Sequence, residues 1–150
     1  MDSVEILLRL GLATLAGALL GLNRDLHGKP TGVRTLGLVG LASAVVVLAV
    51  SHGDQNNVGR VIQGIVTGIG FLGAGVIVRG NFGKQVHGLT TAACVWLTAC
   101  VGSACAVGDA KVILLSVPLI VATLALGGPL EKWVHRHWSG APPNPEEHDG

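Results

Sequence analysis

Charge is what this 150-residue chain has least of. Charged side chains make up 13% of it, against about 25% in a soluble globular domain. The few charges nearly balance, 10 Lys plus Arg against 9 Asp plus Glu, for a formal net charge of +1. That balance argues against a nucleic-acid binder, which is usually basic. It also argues against disorder, which needs low hydrophobicity and high net charge, because 49% of the residues are hydrophobic. Proline is scarce, at 6 residues, and glycine follows no fixed period, so a collagen-like or low-complexity chain is excluded. Aromatics are 3%, with no tyrosine. The three cysteines form no CxxC or Cys-His spacing, so no metal site is expected. No Walker-type phosphate loop, GxSxG or HExxH occurs, and no catalytic residue, enzymatic activity or cofactor is expected.

What is abundant is glycine, with 23 residues, about twice its usual share, and long uncharged runs. Residues 10–23, 36–52, 61–78, 88–108 and 112–130 hold no charged side chain. With flanking residues each approaches the roughly 20 apolar residues that cross a bilayer core. A soluble domain needs one wet face on each helix. Val39 to Val50, VGLASAVVVLAV, does not alternate, which argues against a transmembrane β-strand. The pattern predicts an all-α bundle of five transmembrane helices near 4–22, 34–51, 60–79, 88–107 and 111–130. Asp2 and Glu5 at the start do not fit a cleavable signal. One membrane domain over 1–138 is expected, followed by a disordered cytoplasmic tail over 139–150, SGAPPNPEEHDG.

Orientation follows from Lys and Arg near the helix ends. Arg24, Lys29, Arg34, Arg79, Lys84, Lys132 and Arg136, 7 of the 10 basic residues, fall on one side. This places the N-terminus outside and the C-terminus in the cytoplasm.

Small residues bring helices close in lipid. Ala13, Gly17 and Gly21 repeat every fourth position in the first segment, and the densest cluster is Gly64, Gly68, Gly70, Gly73 and Gly75 in the third. The third helix is therefore expected at the crowded centre of the bundle, either as a tight packing element or as a partly unwound segment lining a pathway.

Polar groups inside or beside the hydrocarbon are costly and often functional. Arg24, Asp25, Arg34, Thr35, Arg79, Thr90 and Thr91 gather on the predicted cytoplasmic side and form the candidate functional cluster. The basic ones also suit interface anchoring. Asp25 is a candidate to pair with Arg34 or Arg79 across helices, or to be held by another partner or an ion. Gln63 is an intramembrane amide about one turn inside the opposite interface. Arg9 lies within the first segment with reach to the outer face. Cys94, Cys100 and Cys105 read as buried small hydrophobes. His135-x-His137 suits an interfacial tail better than a metal.

Four ordered segments, LLGLNRD (19–25), TGVRTLGLVGL (31–41), QGIVTGIGFLGAGVIVR (63–79) and VHGLTTAACVW (86–96), resemble the MgtC/SapB family of bacterial inner-membrane proteins. By position, the resemblance carries over to Arg24, Asp25, Gly32, Arg34, Thr35, Gln63, Gly68, Gly70, Gly73, Gly75, Arg79, Gly88, Thr90, Thr91 and Trp96. It implies five transmembrane helices, a link to magnesium-limited growth and, in pathogens, survival inside macrophages. The family is not itself the magnesium pump; some members inhibit ATP synthase or modulate transport systems. The chain departs from the family pattern at Asn23, where an acid is usual, and at His87, where arginine is usual. The ACT-like C-terminal domain of better-known members is expected to be missing.

The expected function is regulatory: the lipid-embedded chain binds a larger membrane complex, such as ATP synthase or a cation transporter, and adjusts cation homeostasis. The alternative is an oligomeric cation channel or transporter, in which a homo-oligomer builds a ring of Asp25.

Overall fold

The computed structural model describes residues 1–51, 55–78 and 88–138. The predicted tail 139–150 and the site residue Arg79 lie outside the described residues, as does His87. The described residues fold into five α-helices and no strand: α1 (Ser3–Leu26), α2 (Val33–Val50), α3 (Gln55–Val78), α4 (Leu89–Val107) and α5 (Ala110–Trp138). All five contain a stretch of at least 18 residues long and apolar enough to cross a membrane. Their outer surfaces are apolar too. Leu15, Leu38, Phe71, Leu115 and Leu119 are all more than half exposed, as side chains facing lipid would be.

Helix α5 continues through Pro118 and Pro129 to Trp138, beyond the predicted end near 130. The Asp109 carboxylate caps its start by accepting the Val112 N–H at 3.1 Å, the usual answer to the unpaired N–H groups of a first turn. Helix α3 is continuous from Gln55 to Val78, so the partly unwound alternative does not hold over that span.

The expected central position of the third helix is not met. Helix α4 is the one that touches all four others, and 56% of its membrane-spanning stretch is buried, against 6% for α3 and 0% for α5. The core is a trio of α1, α2 and α4, joined by Ala13, Ala16, Ala44, Val47, Val101 and Cys105 near one end. Leu20, Leu36, Cys94 and Val95 join it near the other. Helix α3 leans on this trio through Val58, Val61, Ile62 and Ile65, and α5 through Ile113, Val117 and Ile120.

Glycine explains how closely the trio packs. A methyl added at Gly17 would collide with the Leu36 backbone, one at Gly21 would stand 2.5 Å from the Val33 Cα, and one at Gly40 would stand 2.5 Å from the Ala13 carbonyl oxygen. At Gly102 it would run into the Gly40 carbonyl. The Ala13-Gly17-Gly21 row thus packs as expected. The third-segment glycines do not: among the described residues, nothing outside the helix's own neighbouring backbone lies within 4 Å of an added methyl at Gly64, Gly68, Gly70 or Gly75. Gly73 alone faces inward, where the methyl would meet the Ala92 Cβ at 3.4 Å. Helix α3 turns its isoleucines and valines to the bundle because they bury more area, and that rotation puts its glycines outside. Cys94 and Cys105 are buried, as expected, whereas Cys100 is only half-buried, and all three cysteines are free thiols.

Candidate functional site

One end of the bundle gathers the exit of α1 and the starts of α2 and α4. Helix α1 closes with a pair of reversing bonds: the Lys29 N–H donates to the Arg24 carbonyl at 3.0 Å and the Gly28 N–H to that of Asp25 at 3.1 Å. Gly28 takes the left-handed φ of +61° that this closure needs. Arg24 and Asp25 are thereby fixed in the last turn, about 100° apart around the helix, and they diverge. Arg24 turns into the bundle and is 6% exposed, whereas Asp25 is exposed.

Asp25 serves the next helix. Its carboxylate accepts the Val33 N–H at 2.9 Å, capping the first turn of α2, where negative charge is favoured. Of its two named partners, Arg34 does not pair with it and Arg79 lies outside the described residues; the only ion pair among the described residues is Arg9–Glu5. A backbone N–H at the positive end of a helix, fixed beside the carboxylate, competes well against a mobile exposed arginine. Gly32 leaves room for this contact, because a methyl there would land on the Asp25 carboxylate. The preceding Thr31 holds a φ of +63°, uncommon for a β-branched residue. We expect Asp25→Ala to lower stability by about 1 kcal/mol and Gly32→Ala to do much the same by displacing the carboxylate. In detergent unfolding the double variant should cost little more than either single one; additive losses would mean that the two residues act separately.

Arg24 reaches across to α4. Its Nη2 donates to the Thr91 hydroxyl in the first turn of that helix, and Thr91 is buried. The Arg24 Nε is buried with no hydrogen-bond partner among the described residues. Gly88, at a left-handed φ of +94°, precedes the helix, and no side chain caps it. Thr90 is exposed beside this contact. Arg34 and Thr35 lie exposed on α2, at the mouth of a groove of about 510 Å³ whose walls include Leu38, Val39, Ile69 and Leu72. The structure therefore brings Arg24 and Thr91 into contact, sets Asp25 on α2, and leaves Arg34 and Thr35 at the groove. Gln63 is exposed on α3, away from this cluster.

The opposite end of α4 carries a contact that the sequence did not suggest. Arg9 pairs with Glu5 at 2.6 Å and donates to the Ala106 carbonyl, so it lies over the carboxyl end of α4 rather than simply reaching outward. Its guanidinium would stand 2.7 Å from a methyl at Gly108. Only the spacing of Glu5 and Arg9, four residues apart on one helix, hinted at it. Among the described residues no group of three His, Cys, Asp or Glu could hold a metal ion.

The model of the MgtC family matches residues 10–133, a span that includes Arg24, Asp25, Arg34, Thr35, Thr90 and Thr91 but not Glu5 or Arg9. The chain is similar to the protein SrpB of Synechococcus elongatus, at 34% identity over 99% of this chain and 94% of that protein. It is similar to the protein MgtC of Salmonella typhimurium at 43% identity, over 70% of this chain and 45% of that one. With the YhiD protein of Escherichia coli the identity is 38%, over 67% of this chain and 50% of that one. The matched region thus spans nearly all of SrpB but about half the length of MgtC and YhiD. No solved structure matches the chain significantly.

Proposed function

Since the chain belongs to the MgtC family of multi-pass bacterial inner-membrane proteins, we propose that it serves magnesium homeostasis as a regulator, binding a larger membrane complex through the outer face of α3. Magnesium enters through the family and through the name of YhiD, which refers to magnesium transport. The complex is of the kind represented by ATP synthase or a cation transporter. The bundle end that carries Arg24 and Asp25 faces the cytoplasm, where the excess of Lys and Arg belongs.

One observation carries the regulatory reading. Most of the densest run of glycine in the chain meets nothing of the described residues in the bundle: Gly64, Gly68, Gly70 and Gly75 open outward on α3, while Gly17, Gly21, Gly40 and Gly102 of α1, α2 and α4 are spent on close backbone contacts inside. Gly64 and Gly68 are four residues apart, the small-xxx-small spacing that lets another helix come close in lipid. A partner helix against this face would use glycines that the fold itself does not need.

The test is affinity purification from native membranes, comparing the wild-type chain with Gly68→Leu. The variant should keep wild-type yield and thermal stability, because Gly68 is exposed and a Cβ added there meets no other described residue within 4 Å, and should lose at least tenfold in recovery of the co-purifying complex. Equal recovery of the partner with both chains would refute the role given to this face.

A further inference from the structure

Three of the charged side chains at helix ends bond to backbone there with the sign that the helix dipole favours. Asp25 stands at the start of α2 and Asp109 at the start of α5. Arg9 stands at the carboxyl end of α4, with Glu5 beside it. Arg24, in the last turn of α1, crosses to the opposite kind of end: a cation aimed into the amino-terminal turn of α4, whose N–H groups already carry partial positive charge. It is 94% buried, since its exposure is 6%, and among the described residues its Nε has no partner and it forms no ion pair. The adjacent carboxylate, Asp25, is committed to Val33. The connecting segment 79–87, RGNFGKQVH, contains no acid. Two positive groups converge on one buried spot, and the guanidinium fork has donors to spare.

We propose that this spot binds a phosphate group, held by the Arg24 guanidinium and the first-turn N–H groups of α4. Helix starts offer N–H donors to tetrahedral oxyanions, and an arginine fork matches two phosphate oxygens at once. The site lies at the end of helices sized to cross the bilayer, at the depth of lipid headgroups. Basic pockets between membrane helices take such headgroups. The phosphate belongs either to an anionic phospholipid or to a soluble molecule, and the two sources share the same chemistry here. This inference does not depend on the α3 partner face.

The test uses the full chain purified in a neutral detergent and measures thermal unfolding and retained lipid. Its additions are phosphatidylglycerol, a diacylglycerol of the same acyl chains and inorganic phosphate. Wild type should gain several degrees in Tm from phosphatidylglycerol and nothing from diacylglycerol, and should retain phosphatidylglycerol in native mass spectrometry. A comparable, saturable gain from inorganic phosphate alone would support the site and assign it to a soluble phosphate. Arg24→Lys keeps the charge and loses the fork, and should reduce the gain at least by half. If that variant does not fold, Thr90→Pro, which removes one first-turn N–H, takes its place with the same expectation. The proposal is overturned if neither phosphate source raises the wild-type Tm, or if the folded variant responds to the same extent as wild type.

Discussion

Gly102→Leu is expected to abolish the folded bundle, with little or no monodisperse protein recovered after detergent extraction. The site is the crossing of α2 and α4, where even a methyl group would run into the Gly40 carbonyl. Gly40 is itself pressed against the Ala13 carbonyl of α1, so three backbones meet within one layer of the core. A clash with a flexible side chain can be relieved by a change of rotamer. A clash with backbone requires two helices to separate, and the loss of contact spreads along the crossing. Overpacking a well-filled core costs about 1–3 kcal/mol, and more where the backbone must shift. Gly102→Ala should therefore already cost close to 3 kcal/mol, while leucine exceeds what a small bundle can absorb. The contrast with Gly68 on α3, where leucine should be harmless to the fold, makes the expectation specific. Wild-type yield and Tm for Gly102→Leu would contradict the close α2–α4 crossing.

Thr91→Val should be more damaging to stability than Arg24→Met, although valine nearly matches threonine in shape. Thr91 accepts from a buried guanidinium. Removing the acceptor strands that charge against the amino-terminal end of α4, at a cost of about 1.5–3 kcal/mol for a hydrogen bond to a charged group. Arg24→Met removes the charge along with its need for a partner. Replacing a buried charge by a well-packed apolar side chain is often neutral or stabilising. The two substitutions thus separate folding from function. If Arg24 is kept for what it binds rather than for the fold, the methionine variant folds and inserts normally but fails in the cell. Chemical denaturation in detergent gives the order of stabilities. A methionine variant less stable than the valine variant would assign Arg24 a structural role instead.

The fold is written in the chain more openly than the site. Long uncharged runs decide the helices, since bilayer thickness leaves few other options for such segments. Helix α2, expected near 34–51, forms over Val33–Val50. The ends shift most where the runs are flanked by amphipathic residues: α3 starts at Gln55, and α5 reaches Trp138. The centre of the bundle was not legible from glycine density. Density reports how closely a helix can be approached, whereas the wider apolar face decides which way the helix turns, and in α3 that face is Val58, Val61, Ile62 and Ile65. A better signal lay in α4. Thr91, Cys94, Thr98, Gly102 and Cys105 are small, buried residues spaced three or four apart, an unbroken seam along one face. At the site, the residue types named the region but not the pairing. Arg24 and Asp25 are neighbours in sequence, yet they serve different helices because one turn of geometry separates them. The resemblance of four short segments to a known family pointed to the same residues, and the family match over residues 10–133 covers them.

Low-magnesium growth of a bacterium deleted for its own copy of this gene tests the central proposal most directly, namely that the chain serves magnesium homeostasis through surfaces the fold does not need, the outer face of α3 and the Arg24 end of the bundle, while the fold rests on the α1, α2 and α4 crossings. The strain is complemented with wild type or with Arg24→Met, each confirmed as folded and inserted at equal amounts. Wild type should restore growth in medium depleted of magnesium, and the methionine variant should not. Full restoration by Arg24→Met at equal membrane levels would contradict the account.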